Sequence, residues 1–187
     1  VLFRSHATLE HGFTVEQADA MLSRPLGIPK TAIFGLMDLI GIDLTPHIMA
    51  SLIEHLQPDD PFHQISGAGA EIIESMIETG YTGRKGKGGF YRLNREGGGK
   101  VKEARNLLTG EYAPANRRAG FASAKMAKQG ILRMLDHHDQ GAAFVRDILL
   151  DTLSYAAYLV PEVTDDISAI DEAMKVGYNW KRGPFEI

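Results

Sequence analysis

The chain has 187 residues, of which 44% are hydrophobic and 24% charged, close to the proportions of ordinary globular proteins and unlike those of a disordered chain. Its formal net charge of −4 argues against a general nucleic-acid binder, because such proteins usually carry a broad basic surface. The sequence contains no cysteine, which excludes disulfides, thiolate metal sites and a cysteine nucleophile and fits the cytoplasmic location that we expect.

The N-terminal residues Val1-Leu2-Phe3-Arg4-Ser5 have an unusual character. They are what a common short-read sequencing adapter would encode, so we expect residues 1–5 to be a non-native tail. A native apolar helix turn is the alternative. We also expect no membrane span and no signal peptide, because no apolar run approaches the ~18–20 residues needed to cross a bilayer.

Helical periodicity dominates the first half of the chain. Thr14 and Gln17 have the spacing of a capping box, and an apolar stripe of Val15, Ala18, Met21 and Leu22 follows. Further helices are predicted at residues 33–40, 45–56 and 68–79, with Gly41 and Gly80 placed to end two of them.

The second half begins with a glycine-rich basic loop at residues 83–89, followed by Phe90 and Tyr91. Helices are then predicted at residues 101–108, 115–135, 140–160 and 167–175. Only a few residues around Phe90 suggest the period-2 alternation of a strand. The predicted class is therefore all-α.

Basic residues are concentrated around this loop: Arg84, Lys85, Lys87, Arg92, Arg95, Lys100, Lys102 and Arg105. Such a patch could attract anions, including coenzyme A phosphates or nucleic acid. A solvated loop or a domain contact is the interpretation we favour. Phe90 and Tyr91 could stack on bases, but we expect them to be buried anchors that pin the loop.

No motif in the sequence has the complete spacing of a catalytic, cofactor or metal site. Gly67-x-Gly69 resembles the start of a dinucleotide fingerprint, but Ile72 occupies the third glycine position. Adjacent His137 and His138 would point ~100° apart on a helix and could not easily share one ion. We therefore predict no catalytic, cofactor-binding or metal-binding residue in this chain.

An internal repeat is the most informative feature. Ile167, Ile170, Ala173 and Met174 reproduce the spacing of Val15, Ala18, Met21 and Leu22. Asp171 then matches Asp19, and Phe185 matches Phe34 after deletion of one residue. The pattern predicts domain duplication: a first helical domain at residues 6–92, a linker at 93–113 and a second helical domain at 114–187. We expect both ends of the chain to cut through these domains.

Three ordered motifs resemble the C-terminal helical domain of 3-hydroxyacyl-CoA dehydrogenases. They are the stretch from Thr14 to Phe34 with Asp38-Leu39-Ile40-Gly41-Ile42-Asp43, residues 83–91, and Asp171-Glu172-Ala173-Met174 with Gly183-Pro184-Phe185-Glu186. The resemblance implies a helical domain like the C-terminal domain of 6-phosphogluconate dehydrogenase, in one nearly complete copy followed by the start of a second.

That resemblance also implies a function. The parent would be an NAD-dependent 3-hydroxyacyl-CoA dehydrogenase of fatty-acid β-oxidation, with NAD bound by a domain absent from this chain and the catalytic residues before residue 6. The chain alone would be inactive. If it touches the acyl-CoA substrate, we expect Ile28, Pro29 and Phe34 to make the contact, and we expect the two helical copies to pack as a pseudo-dimer.

Two alternatives remain open at this point. The chain could be a non-enzymatic helical interaction or oligomerisation module that kept the fold and lost the chemistry. It could also be the tail of a related β-hydroxyacid or 6-phosphogluconate-type dehydrogenase, which would act on a differently charged substrate.

Overall fold

A computed structural model describes residues 7–64, 67 and 69–187. The expected non-native tail at residues 1–5 lies outside this range. The chain is about 54% helical and carries one small sheet of three strands. The prediction of an all-α class is confirmed in that the chain is mostly helical, and the small sheet is an addition to it.

The helices are short except for one near the C-terminus. Residues 7–10 are helical, and eight further α-helices follow among the described residues. They are α1 (Val15–Met21), α2 (Phe34–Ile40), α3 (Thr45–His55), α4 (Ala70–Glu78), α5 (Ser123–Met126), α6 (Ile131–Leu135), α7 (Gln140–Tyr158) and α8 (Ile167–Tyr178).

The chain divides into two compact units. The first comprises the chain up to Asp19 together with Ile33–Ala119, and the second comprises Ala20–Ala32 together with Gly120–Ile187. The first unit holds helices α2 to α4 and the sheet. The second holds α5 to α8.

Local capping signals decide where several helices begin. The predicted capping box ahead of α1 is confirmed: Thr14 N donates to Gln17 Oε1 at 2.9 Å, and Gln17 N donates to Thr14 Oγ1 at 3.3 Å. Asp139 caps α7 by accepting a hydrogen bond from Ala142 N at 2.9 Å. Asp166 caps α8 in the same way, with Ser168 N as its donor at 2.9 Å.

The sheet is an antiparallel meander of β1 (Tyr91–Asn94), β2 (Val101–Arg105) and β3 (Tyr112–Pro114), in the order β1-β2-β3. The predicted helix at residues 101–108 is therefore wrong. Its last part is instead a tight turn, in which Asn106 Oδ1 accepts hydrogen bonds from Leu108 N and Thr109 N. Most of the segment predicted as a linker, residues 93–113, lies in these strands and their connections.

The long helix predicted at residues 115–135 is also wrong. It is replaced by α5, a 3-10 turn at Ala127–Gln129 and α6. Gly130 separates the turn from α6 with a φ of 129°, a conformation that L side chains rarely adopt and that interrupts a regular helix. The predicted break near Asp139 and the long helix after it are confirmed by α7.

The two halves of the internal repeat make the same hydrogen bond. Asp19 Oδ1 accepts from Phe34 N at 2.9 Å, and Asp171 Oδ1 accepts from Phe185 N at 2.8 Å. The apolar stripes differ in burial, however. Ala18 is fully buried whereas its counterpart Ile170 is half-buried, and Ile167 is 50% exposed where Val15 is fully buried.

Within the described part of the chain, no single helix is long and apolar enough to cross a membrane. Helix Phe34–Ile40 and the segment Ile42–His55 pass that test only as a pair, and they meet at an angle of 87°.

Candidate functional site

The first unit contains an apolar cavity of about 290 Å³. Its floor is formed by side chains that are almost fully buried, namely Phe34, Met37, Ile73 and Phe90. Its rim is formed by exposed residues of α3 and α4: Pro46, Ala50, Ile53, Ala70 and Glu74. A buried floor with an exposed rim makes this a pocket that opens to solvent, the usual form of a small-molecule site.

Two phenylalanines define the floor. The rings of Phe34 and Phe90 pack edge to face, with centroids 4.7 Å apart and planes at 60°. Each ring is about 2% exposed. Because Phe34 and Phe90 lie far apart in the sequence, their positions depend on the groups that hold the two backbones.

Asp19 holds the backbone at Phe34. Its carboxylate accepts hydrogen bonds from the backbone N–H groups of Ile33, Phe34 and Gly35, at 3.0, 2.9 and 3.2 Å. These N–H groups belong to the start of α2 and have no partner within the helix. A negative side chain at a helix N-terminus also interacts favourably with the helix dipole. Asp19 therefore fixes where α2 begins and where its first side chain points.

Asp38 holds the backbone at Phe90. Its carboxylate oxygens accept from Phe90 N at 2.7 Å and from Tyr91 N at 2.8 Å, while its carbonyl accepts from Arg84 N at 2.8 Å. The glycine-rich loop packs closely around this residue, and a Cβ on Gly89 would overlap Asp38 Oδ1. Only glycine fits at this point of the loop.

Tyr91 joins the two carboxylates. Its N–H donates to Asp38, and its hydroxyl donates to Asp19 Oδ2 at 3.0 Å. Burial raises the pKa of Asp19 to about 6, and burial likewise raises the pKa of Asp38 to about 6. The hydrogen bonds act in the opposite direction and limit both shifts.

This arrangement is suited to binding an apolar group. The oxygens of Asp19 and Asp38 accept hydrogen bonds from the backbone and from Tyr91 and thereby position the aromatic floor, and neither residue lines the cavity. Among the described residues that line the cavity, only Thr45 and Glu74 bring polar side-chain groups. Such a pocket can take up an apolar group, with the Glu74 carboxylate and the Thr45 hydroxyl as its polar side-chain groups.

The predicted substrate-binding residues lie in different places. Phe34 lines the cavity floor. Ile28 and Pro29 belong to the second unit, where Ile28 is buried and its N–H donates to Ser23 O at 3.0 Å. Their contact with a substrate stays a prediction.

Several residues of the pocket were missed from the sequence. Met37, Met49 and Ile73 were treated only as parts of helices, and Asp38 only as part of a motif. The sequence shows a short run of apolar residues and, further along, a glycine-rich loop. It does not show the distance between these two segments in the fold. Phe90, by contrast, was expected to be a buried anchor of the loop, and this is confirmed.

Most cations of the basic stretch have partners within the chain. Lys85 pairs with Asp43 at 2.8 Å, and Arg92 pairs with Glu103 at 2.7 Å. Lys102 lies 3.7 Å from the centre of the Tyr91 ring. These contacts support the interpretation of a loop held against its own unit.

The His137-His138-Asp139 cluster has a structural role at the start of α7. The two imidazoles stack with centroids 4.6 Å apart, and Asp139 accepts hydrogen bonds from Ser123 N and Ala142 N. No group of three side chains able to hold a metal ion is found in the described residues.

One protein-family model matches the first half of the chain. Residues 2–93 match the family model described as 3-hydroxyacyl-CoA dehydrogenase, C-terminal domain. This segment includes Asp19, Asp38 and both phenylalanines of the cavity floor.

Curated relatives extend the similarity over nearly the whole chain. A provisionally named fatty acid oxidation complex trifunctional enzyme of Rickettsia prowazekii is 36% identical over 182 residues, which cover 97% of this chain and 24% of the relative. A protein of the same name from Rickettsia felis is 38% identical over 169 residues, covering 90% and 22%. A provisionally named 3-hydroxyacyl-CoA dehydrogenase of Bacillus subtilis is 32% identical over 187 residues, covering 96% and 22%.

The chain thus spans about a quarter of the length of the curated relatives it matches. No solved structure is significantly similar to it.

Proposed function

The chain belongs to the 3-hydroxyacyl-CoA dehydrogenase family, whose C-terminal domain matches residues 2–93, and from this premise we propose that the chain is the helical part of such an enzyme that faces the acyl chain. The intact parent would oxidise 3-hydroxyacyl-CoA with NAD in fatty-acid β-oxidation. The names of the relatives support this assignment of the parent.

The observation that carries the proposal is the apolar cavity in the domain that matches the family. Its floor is made of Phe34, Phe90 and neighbouring buried side chains, and these residues fall within the matched segment. An acyl chain requires apolar walls, because its transfer from water is favourable only where hydrocarbon surface is covered. Phe34, predicted from the sequence to contact substrate, is part of those walls.

The described residues do not fit NAD. A dinucleotide needs a strand, a glycine-rich turn and a helix whose N-terminus faces the pyrophosphate. The three strands here form an antiparallel meander, and the helix after Gly67 and Gly69 is preceded by the 3-10 turn Pro61–Gln64. We therefore propose that NAD and the catalytic residues belong to another part of the parent, and that this chain alone does not catalyse the reaction.

We also propose that residues 114–187 are a partial copy of residues 6–92, which would contribute domain packing in the parent. The support is the matching pair of hydrogen bonds from Phe34 N to Asp19 and from Phe185 N to Asp171. The matching caps at Thr14 and Asp166 add to it. Packing of the two copies as a pseudo-dimer stays a prediction.

A chimera tests the proposed function. The matched segment of the Bacillus subtilis relative is replaced by this chain, and NADH formation from NAD and 3-hydroxybutyryl-CoA is followed at 340 nm. We expect activity in the chimera and none in the isolated chain.

The unaltered relative is the positive control, and NAD binding by the chimera shows that its cofactor domain is intact. A folded chimera that binds NAD but oxidises no 3-hydroxyacyl-CoA, beside an active relative, would contradict the proposal.

A further inference from the structure

We propose that the cavity of the first unit is a chain-length-limiting site that binds the aliphatic tail of an acyl thioester up to about ten carbons and disfavours free fatty acids. The choice of an acyl thioester as ligand rests on the proposed function. Binding of an aliphatic tail does not rest on the proposed function, and it is measured on the isolated chain without NAD.

The size of the cavity sets the limit. Its volume is about 290 Å³. One water in the liquid takes up about 30 Å³, so the space holds on the order of ten groups of that size. A methylene is of similar size. A butyryl tail would leave much of this space empty, whereas a tail well beyond ten carbons would extend out of it.

The floor closes the cavity at one end. Phe34 and Phe90 pack edge to face, and the carboxylates of Asp19 and Asp38 hold the backbone N–H groups of these two residues. The rings can yield little because four further hydrogen bonds tie the same two carboxylates to the backbone at Ile33, Gly35 and Tyr91 and to the Tyr91 hydroxyl. A tail that reaches this floor cannot go deeper.

The rest of the cavity lining suits an unbranched chain. Met37 and Met49 contribute flexible thioethers that adapt to the shape of a ligand, and Ile53 and Ile73 add apolar surface. Helix α3, which supplies Met49 and Ile53, has no buried residue of its own. A bound chain would cover part of this exposed apolar side of α3.

The rim distinguishes the chemical form of the head group. Glu74 is exposed on the rim, and Thr45 lies on the same lining. A free fatty acid would bring its carboxylate beside Glu74, and like charges at an exposed site repel each other modestly. The thioester is neutral at this point, so it avoids the repulsion.

Calorimetric titration of the isolated chain measures the chain-length limit. The probes are butyryl-, octanoyl-, decanoyl- and tetradecanoyl-CoA below their micellar concentrations, with free coenzyme A as the blank and 1-decanol as a tail without coenzyme A. We expect affinity to rise by up to about fourfold per methylene as far as decanoyl-CoA and then to level off. We also expect 1-decanol to compete with decanoyl-CoA.

Substitutions on the rim locate the binding site. Ala50→Phe fills the cavity mouth from an exposed position, and Ser51→Phe places the same side chain on the next residue of α3, which does not line the cavity. We expect at least a tenfold loss of decanoyl-CoA affinity in the first variant and less than a twofold change in the second. Circular dichroism verifies that both are folded.

A second substitution tests the rim charge without adding bulk. Glu74→Gln should improve binding of decanoate by at least threefold and leave decanoyl-CoA binding unchanged.

Three outcomes would overturn the inference. Equal affinity for butyryl-CoA and decanoyl-CoA, or equal affinity for free coenzyme A and decanoyl-CoA, would show that no tail is bound. Unchanged decanoyl-CoA affinity in a folded Ala50→Phe variant would place the tail elsewhere. If light scattering shows that this variant self-associates differently while it binds decanoyl-CoA as before, the cavity is a contact between protein molecules. An inactive chimera with intact tail binding would count against the proposed function alone.

Discussion

The hydroxyl of Tyr91 donates a hydrogen bond of 3.0 Å to Asp19, across 72 residues of sequence. The backbone N–H of the same tyrosine donates to Asp38. One residue therefore couples the start of α2 to its last part and to the first strand. The backbone N–H of Phe34 donates to Asp19 and that of Phe90 donates to Asp38, so the shape of the pocket depends on this network.

Removal of the tyrosine hydroxyl should weaken the first unit without destroying it. Tyr91→Phe keeps the ring and its contact with Lys102 but deprives Asp19 of one of four donors. We expect the free energy of unfolding to fall by about 1.5–3 kcal/mol, as for loss of a hydrogen bond to a charged group. Urea denaturation followed by circular dichroism measures it, and a change below about 0.3 kcal/mol would show that the bond is not formed.

A methyl group in the glycine-rich loop should be severely destabilising. The Cβ of Gly89→Ala would overlap Asp38 Oδ1 and displace the loop from α2. We expect a loss of several kcal/mol or failure to fold, as for other overpacked or strained sites.

Gly99→Ala is the matched control, since nothing lies within 4 Å of its Cβ and its φ is −112°. It should change stability by less than about 0.5 kcal/mol. Similar stabilities for the two variants would mean that the loop does not pack on Asp38 as described.

The carboxylates of Asp38 and Asp19 should make the fold more stable as the pH falls below neutrality. Burial raises the pKa of Asp38 from 3.8 to about 6, so the folded chain holds the proton more tightly than the unfolded chain. Its contribution to the free energy of unfolding therefore rises as pH falls through 6 and levels off near 4. Asp19 shifts in the same direction.

Asp38→Asn isolates this effect from that of other titrating groups. The stability of the native chain relative to the variant should be greater at pH 5 than at pH 7.5, by about 1 kcal/mol. Urea denaturation at the two pH values provides the comparison. A difference of the opposite sign would show that ionised Asp38 is favoured by the fold.

The two aspartates of the repeat should protect different amides. Asp19→Ala removes the acceptor for three backbone N–H groups and one hydroxyl, whereas Asp171→Ala removes the acceptor for Phe185 N. We expect the first substitution to cost about 3 kcal/mol or more and the second about 1–2 kcal/mol.

Hydrogen exchange followed by NMR reads out the two sites separately. Protection should fall at the Phe34 amide in the first variant and at the Phe185 amide in the second. Unchanged protection at Phe185 in a folded Asp171→Ala variant would remove the support for a repeated structural unit.

Features that depend on nearby residues were predictable from the sequence. The capping box at Thr14 and Gln17 forms within one turn, and the matching register of Asp19 and Asp171 is preserved in the contacts that they make. The family resemblance was visible for the same reason, because its motifs are short and ordered.

Features that depend on distant pairing were not predictable. Val101–Arg105 carries residues compatible with a helix, and its strand conformation comes from pairing with β1 and β3. Asp38 accepts its hydrogen bonds only when Phe90 and Tyr91, which lie 52 and 53 positions further along the chain, approach it. The cavity likewise exists only where α2, α3, α4 and Phe90 converge, so no local sequence pattern predicts it.

The most direct test of the account is the chain-length profile of the chimera described above. Its kcat/KM is measured for 3-hydroxybutyryl-CoA and 3-hydroxydecanoyl-CoA, with and without Ala50→Phe. If this chain supplies the wall for the acyl tail, the substitution lowers kcat/KM for the decanoyl substrate by about tenfold, about 1.4 kcal/mol of lost binding, and leaves that for the butyryl substrate unchanged. An equal effect on both substrates, or none on either, would contradict it.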